Sequence, residues 1–297
     1  MVAGSCFCGE VRYEVDGPFN TMLSCHCSMC RKHHGAAFAT YISAPVARFR
    51  WVHGEDSLLQ YQSSGQGTRN SCRKCGSTVP MMTPSGTLVL LPAGPLEGEL
   101  GITPQAHIFV GSKAPWYTIT DDLPQHQEYP PEFGAQGVPR PSVAPRPGTV
   151  EGSCLCGAVA FEATGDPQFM QSCHCTRCRR SRGAAHGTNI FYPAAQFRWL
   201  RGEELVAEFK LPEARFHTVA FCRQCGGALP KVSHERGMAV IPAGILDTDP
   251  PLRPQRHIFT NYKAEWFAIT DALPRLPEGP TPPGAAAPVR PPGATPT

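Results

Sequence analysis

No stretch of this 297-residue chain approaches the run of about 18 apolar residues that a membrane-spanning helix requires. Its first residues, MVAGSCFCGEVRYE, turn polar at once and do not read as a secretion leader. Charge of one sign is scarce as well. The 27 Lys and Arg against 24 Asp and Glu leave a net charge of +3, and there are no Lys/Arg-rich arms. A balance this mild argues against nucleic acid as the partner. Sustained helical periodicity is missing too, so the helices expected are short. These absences point to a chain without a membrane anchor, at work in the cytoplasm, where disulfides are rare. Fourteen cysteines are nevertheless present, and they need another use.

Apolar residues make up 41% of the chain, enough for packed cores. The chain is also written twice. GSCFCGEVRYEVDG at 4–17 returns as GSCLCGAVAFEATG at 152–165, and SCHCSMCRKHHG at 24–35 returns as SCHCTRCRRSRG at 172–183. SCRKCGSTVP at 71–80 returns as FCRQCGGALP at 221–230, and HIFVGSKAPWYTITDDLP at 107–124 returns as HIFTNYKAEWFAITDALP at 257–274. The offset grows from 148 to 150 along the way, which places a two-residue insertion between Glu204 and Phe221, in an expected loop. A repeat this long is a duplicated domain, since solenoid units typically run about 20–50 residues. The expected division is a first domain at 1–128, a Pro/Gly-rich linker at 129–149, a second domain at 150–277 and a disordered Pro-rich tail at 278–297.

Secondary structure reads as mainly β. VRYEV, AFATYIS, FRWV, LLQYQ, TLVLLPA and HIFV are short, rich in β-branched and aromatic residues, and separated by Gly or Pro. Short helices are expected after Cys30 and before Phe49.

Each copy holds seven cysteines in register, and seven divides into four and three. Cys72 and Cys75 in CRKCG have the spacing of a zinc knuckle, with Gly76 permitting the tight turn. A closed site needs two more ligands. Cys6 and Cys8 supply them if they point to one face of an extended strand. Cys154, Cys156, Cys222 and Cys225 repeat the pattern. That leaves Cys25, Cys27 and Cys30, with Cys173, Cys175 and Cys178, as three-thiolate sets whose fourth position is open to water or substrate, as in catalytic zinc. Disulfides and an iron–sulfur cluster are the competing uses. The missing leader disfavours the first, and the lack of a nearby fourth cysteine disfavours the second. His26 and His174 sit between ligating cysteines, where alternation turns the ring away, so they read as structural. His107 and His257, which precede Trp116 and Trp266, read as hydrogen-bonded core histidines, with a role near the open zinc, as proton shuttle or late ligand, as the other possibility.

GSCFCGEVRYEV, SCHCSMCRKHHG, CRKCG and HIFVGSKAPWY, in that order, resemble the glutathione-dependent formaldehyde-activating enzyme family, which also includes centromere protein V. The resemblance covers about 120 residues of each half. It implies two tandem Mss4-like zinc-binding β domains. It further implies a structural zinc at Cys6, Cys8, Cys72 and Cys75, a catalytic zinc at Cys25, Cys27 and Cys30, and the same pair in the second copy. The expected complement is therefore four Zn2+ per chain, two closed and two with an open position. The implied activity is that of a carbon–sulfur lyase which adds a glutathione-like thiol to an aldehyde such as formaldehyde. Arg31, Lys32, Arg179 and Arg180 are the expected contacts to substrate carboxylates. The alternative is a zinc-stabilised binding module for nucleic acid or protein. The copies differ beside their open sites: His33 and His34 become Ser181 and Arg182, and Met29 becomes Arg177. On sequence the second pocket is more positive, and the first gains charge as its imidazoles protonate between pH 5 and 8, or closes its metal with a histidine.

Overall fold

The computed structural model describes residues 1–65, 67–130, 144, 146–214 and 217–279. Most of the expected linker (131–143 and 145) and of the expected tail (280–297) lies outside the described residues.

The chain is mainly β, as the alternating, β-branched segments dictate. In the first half a five-stranded sheet orders Ala106–Ile108, Thr21–Cys25, Ala39–Pro45, Leu88–Pro92 and Met81–Met82. Its pairs are antiparallel except Ala106–Ile108, which runs parallel to Thr21–Cys25. A second sheet orders Leu96–Glu97, Val2–Ser5, Arg12–Val15 and Phe49–His53, and a third orders Leu58–Ser64, Gly67–Cys72 and Thr78–Val79. The second half repeats the five-stranded sheet with His257–Ile258, Phe169–Cys173, Gly187–Pro193, Met238–Pro242 and Lys231–Ser233. It also repeats the hairpin of the third sheet as Val206–Lys210 and Thr218–Cys222. The two-residue insertion falls between these two strands, where residues 215 and 216 lie outside the described residues. Two short α-helices, α1 (Ser28–His34) and α2 (Thr176–Arg182), follow the strands that carry Cys25 and Cys173. A 3-10 turn at Val46–Arg48 precedes Phe49.

Strand alternation places Met22, Ile42 and Leu91 of one half on an inner face, and Met170, Ile190 and Ile241 of the other. All six belong to one continuous core that runs through both halves. Phe38 meets Phe267 across it at 6.1 Å between ring centroids. Full burial of such a side chain contributes about 1.5–3 kcal/mol, so the halves hold together as one body.

Contacts across the seam are reciprocal, as a two-fold relation demands. A Cβ on Gly94 would lie 2.4 Å from the Ala184 nitrogen, and one on Gly244 would lie 2.3 Å from the Ala36 oxygen. Only glycine lets the backbones approach so closely. Equivalent residues Thr120 and Thr270 hydrogen-bond to each other on the axis. Lys32 pairs with Asp247 at 2.5 Å, and its counterpart Arg180 pairs with Glu97. The hairpins cross over too. Tyr61 packs beside the Cys154 cluster, while Phe209 packs beside the Cys6 cluster.

Candidate metal centres

All fourteen cysteines are unbridged. Their sulfurs gather in four groups, each within 4.8 Å of one another: Cys6, Cys8, Cys72 and Cys75; Cys154, Cys156, Cys222 and Cys225; Cys25, Cys27 and Cys30; Cys173, Cys175 and Cys178. Each group could hold a metal ion.

In the four-cysteine sets the Cys6 and Cys8 sulfurs are 3.5 Å apart and those of Cys8 and Cys72 3.8 Å; Cys154 and Cys156 are 3.4 Å apart and Cys156 and Cys222 4.0 Å. A tetrahedral zinc with bonds of roughly 2.3 Å has ligand edges of about 3.8 Å, so the donors fit that ion. Backbone amides support the sulfurs, with Val11 N donating to Cys6 at 3.2 Å and Val159 N to Cys154 at 3.3 Å. The Cys72–Cys75 knuckle turns through Gly76 at φ 69°, whose amide donates to the Cys72 carbonyl at 2.8 Å. The Cys6–Cys8 pair departs from expectation. It lies in a turn after the strand Val2–Ser5, closed by Gly9 N donating to the Cys6 carbonyl at 3.1 Å. Packing the pair against the knuckle needs the chain to reverse there, which a strand cannot do.

The three-cysteine sets stand at strand-to-helix corners. Cys25 ends its strand, Cys27 caps α1 by accepting from Cys30 N at 3.3 Å, and Cys30 lies on the helix. α2 repeats this with Cys175 and Cys178 at 3.4 Å. The neighbouring sulfurs favour the thiolate form of one cysteine in each set. Cys27 is held well below the ordinary thiol range by Cys25 and then Cys30, and Cys175 falls to about 2 through Cys173 and then Cys178. A thiolate flanked by two further thiols suits a soft divalent cation. Among the described residues no His, Asp or Glu joins either trio.

His33 and His34 are therefore not ligands. His33 Nε2 meets Ser71 Oγ at 2.9 Å. His34 Nδ1 donates to the Arg182 carbonyl at 2.6 Å, and its Nε2 accepts from the Tyr41 hydroxyl at 2.6 Å. Burial pushes His33 well down and His34 to about 3. The structure does not support the expected charging of the first pocket between pH 5 and 8, because burial disfavours the protonated form of both rings. His26 Nε2 meets His107 Nδ1 at 2.8 Å, and His107 Nε2 meets the Asp121 carboxylate at 3.1 Å. His174, His257 and Asp271 form the same chain at 2.8 and 3.0 Å. These histidines buttress the corners that present the cysteines. The repeated Asp, fourteen residues after each histidine, was the readable signal.

The basic residues after Cys30 and Cys178 face the seam. The Lys32 ammonium, 5% exposed, is held by Asp247 and by Ser153 Oγ at 2.6 Å. Arg180 pairs with Glu97, Arg179 Nη1 donates to the Gly94 carbonyl at 3.4 Å, and the Arg31 carbonyl abuts Gly244. A cavity of about 290 Å³ opens instead beside Cys178, with Arg182, Lys231, Arg236 and His217 in its wall. Of these, the sequence singles out Arg182 as a difference between the copies, while Lys231, Arg236 and His217 were missed. Their signal was the in-register difference between copies, where Met81 stands at the position of Lys231.

Comparison with known proteins places these centres in context. A family model described as glutathione-dependent formaldehyde-activating enzyme matches residues 1–112 and 149–262. A protein of Halomonas elongata, whose name assigns it provisionally as such an enzyme, is 30% identical over 127 residues, covering 40% of this chain and 81% of its own. A crystal structure of a Rhodobacter sphaeroides protein is 30% identical and covers 34% of this chain and 97% of its own, with a TM-score of 0.28. No helix among the described residues is long and apolar enough to cross a membrane.

Proposed function

The chain belongs to the glutathione-dependent formaldehyde-activating enzyme family, and on that premise we propose that it adds a glutathione-like thiol reversibly to formaldehyde or a similar aldehyde at a three-cysteine zinc centre. The observation that carries this reading is a cysteine trio to which the described residues add no fourth donor, set beside a cavity with a basic wall. We further propose four zinc ions per chain, held by the four- and three-cysteine groups. Bound at a trio, zinc would supply the acidity that leaves an incoming thiol deprotonated at neutral pH.

The chain's own residues do the remaining work. Cys173, Cys175 and Cys178, fixed by the corner and by the His174–His257–Asp271 chain, hold the open position in one place. Arg182, Lys231 and Arg236 offer cations to the carboxylates of the thiol. Lys32 and Arg180 serve the seam, and reach substrate only by giving up Asp247 and Glu97. In the step itself a sulfur–carbon bond forms and the carbonyl π bond breaks. The thiol proton ends on the former carbonyl oxygen, giving a hydroxymethyl thioether with no net oxidation.

Exchange between 13C-formaldehyde and its glutathione adduct, followed by NMR, tests the reading. Zinc-loaded protein is expected to accelerate exchange above the spontaneous rate, and Cys178→Ser to reduce the acceleration. A rate equal to that in buffer alone would overturn it.

A further inference from the structure

The two trios share their cysteine spacing and differ in surroundings. Cys25, Cys27 and Cys30 are all buried, at 6%, 9% and 3% exposure, whereas Cys175 and Cys178 are only partly covered. The difference traces to three substitutions between copies. Arg69, Tyr41 and Tyr129 in the first half stand where Val219, Asn189 and Gly279 stand in the second.

In the first half these side chains form a directed chain over the metal site. Arg69 Nη1 donates to the Tyr41 oxygen at 3.2 Å, Tyr41 donates to His34 Nε2 at 2.6 Å, and His34 donates to the Arg182 carbonyl. Tyr41 itself packs against the cluster that contains the three cysteines. Tyr129 closes another side by packing edge-on against Phe109, itself beside the trio, at 4.6 Å between centroids. The neighbouring cavity of about 320 Å³ is left with walls such as Gln60, Thr68, Asn70 and Met81, without a cysteine or a charged residue.

Among the described residues this directed chain is not repeated in the second half, where Asn189 only accepts from Arg182 Nη2 at 3.4 Å. Valine and asparagine are too short to span the space, and glycine has no ring. The cavity beside Cys178 stays open, at the small end of the range of about 300–1,000 Å³ usual for small-molecule pockets. Its wall carries Arg182, Lys231 and Arg236 and, among the described residues, no carboxylate, with Phe191 and Leu229 as an apolar floor. Such a wall suits a ligand with sulfur at one end and carboxylates at the other.

We propose that the halves have divided their roles: the second trio alone takes an anionic thiol, and the first is a structural metal site sealed by Arg69, Tyr41 and Tyr129. This rests on the thiol reading above and adds which site performs it. The seal explains why duplication has not simply doubled the active site. One copy is spent on stiffening the seam through His34 and Arg182, and the other keeps a cavity that reaches its cysteines.

The test is calorimetric titration of the zinc-loaded full chain with glutathione, repeated by absorption on cobalt-substituted protein, where an added thiol ligand changes the visible spectrum. One equivalent per chain is expected, lost in Cys178→Ser. Lys231→Ala with Arg236→Ala should weaken it by about tenfold or more, leaving a neutral thiol such as 2-mercaptoethanol unaffected. Arg69→Val with Tyr41→Asn should add a second equivalent. Retained zinc in the four-cysteine sets reports that each variant has folded. Two equivalents in the wild type, or one that survives Cys178→Ser, would overturn the division while leaving the thiol reading intact. Failure of the double variant to gain a site would overturn the seal. No binding at all would overturn the thiol reading itself.

Discussion

Asp247→Ala should cost the protein far more stability than Glu97→Ala, although the two acids are equivalent in the repeat. The reason is burial. The Lys32 side chain is 5% exposed and Asp247 20%, whereas Arg180 is 30% exposed and Glu97 54%. Removing one partner of a buried pair leaves a charge stranded in low dielectric, at about 3–5 kcal/mol. Ser153 still offers Lys32 two oxygens, at 2.6 and 3.0 Å, so the lower end, about 3 kcal/mol, is the expected loss. Water and salt already screen the exposed pair, whose loss should cost about 0–1 kcal/mol. Denaturant unfolding of both variants at fixed free zinc measures the difference. The combined replacement Lys32→Met with Asp247→Leu should recover most of the loss, because no charge remains to be buried. Equal losses from the two single variants, or a combined variant no better than Asp247→Ala, would refute the argument that the seam is held by a desolvated ion pair.

Two further outcomes follow from the structure. His186 occupies the place of Phe38 in the shared core, and burial, then His257, pushes it down to about 3. The unfolded chain takes up this proton below about pH 6.5 and the folded chain does not. Stability from this group is therefore present at neutral pH and lost as pH falls toward 3, by about 2 kcal/mol at pH 5. His186→Phe should lessen the drop in unfolding free energy between pH 7 and pH 5 by that amount, and an unchanged drop would count against a neutral buried imidazole. Gly94→Ala should destabilise by about 1–3 kcal/mol, since its Cβ would meet Ala184 backbone atoms at 2.4 and 2.5 Å. Gly65→Ala, with nothing within 4 Å, should stay within about 0.5 kcal/mol, and equal effects on Tm would argue against close approach at the seam.

How much of this could be read from sequence depends on the kind of information each feature needs. The mainly β fold lies in local alternation, and Met22, Ile42 and Leu91 show it in space. The gathering of cysteines lies in their spacing, because C-x-x-C at 72–75 and the Cys27–Cys30 turn are local geometries. The reversal at Cys6–Cys8 was less legible, since an i, i+2 pair suits a strand or a turn until its partner is placed. The seam was not legible. A repeat says that two copies exist and nothing about which faces meet, so Lys32 and Arg180 read as contacts to substrate carboxylates when they form ion pairs between halves. For the same reason His33 and His34 looked titratable, although the second half dries them. The difference between the two trios was written in register all along, as Arg69 against Val219 and Tyr41 against Asn189. Its meaning depended on knowing that those positions overhang the sulfurs.

Native mass spectrometry of the intact, reduced chain after zinc loading tests the central claim most directly. Four zinc ions per chain are expected, the one at the open Cys173, Cys175 and Cys178 set lost first to a chelator, with a protein mass in which all fourteen thiols are reduced. A chain that saturates at two zinc ions, or one that folds without metal as disulfide-bonded species, would contradict it.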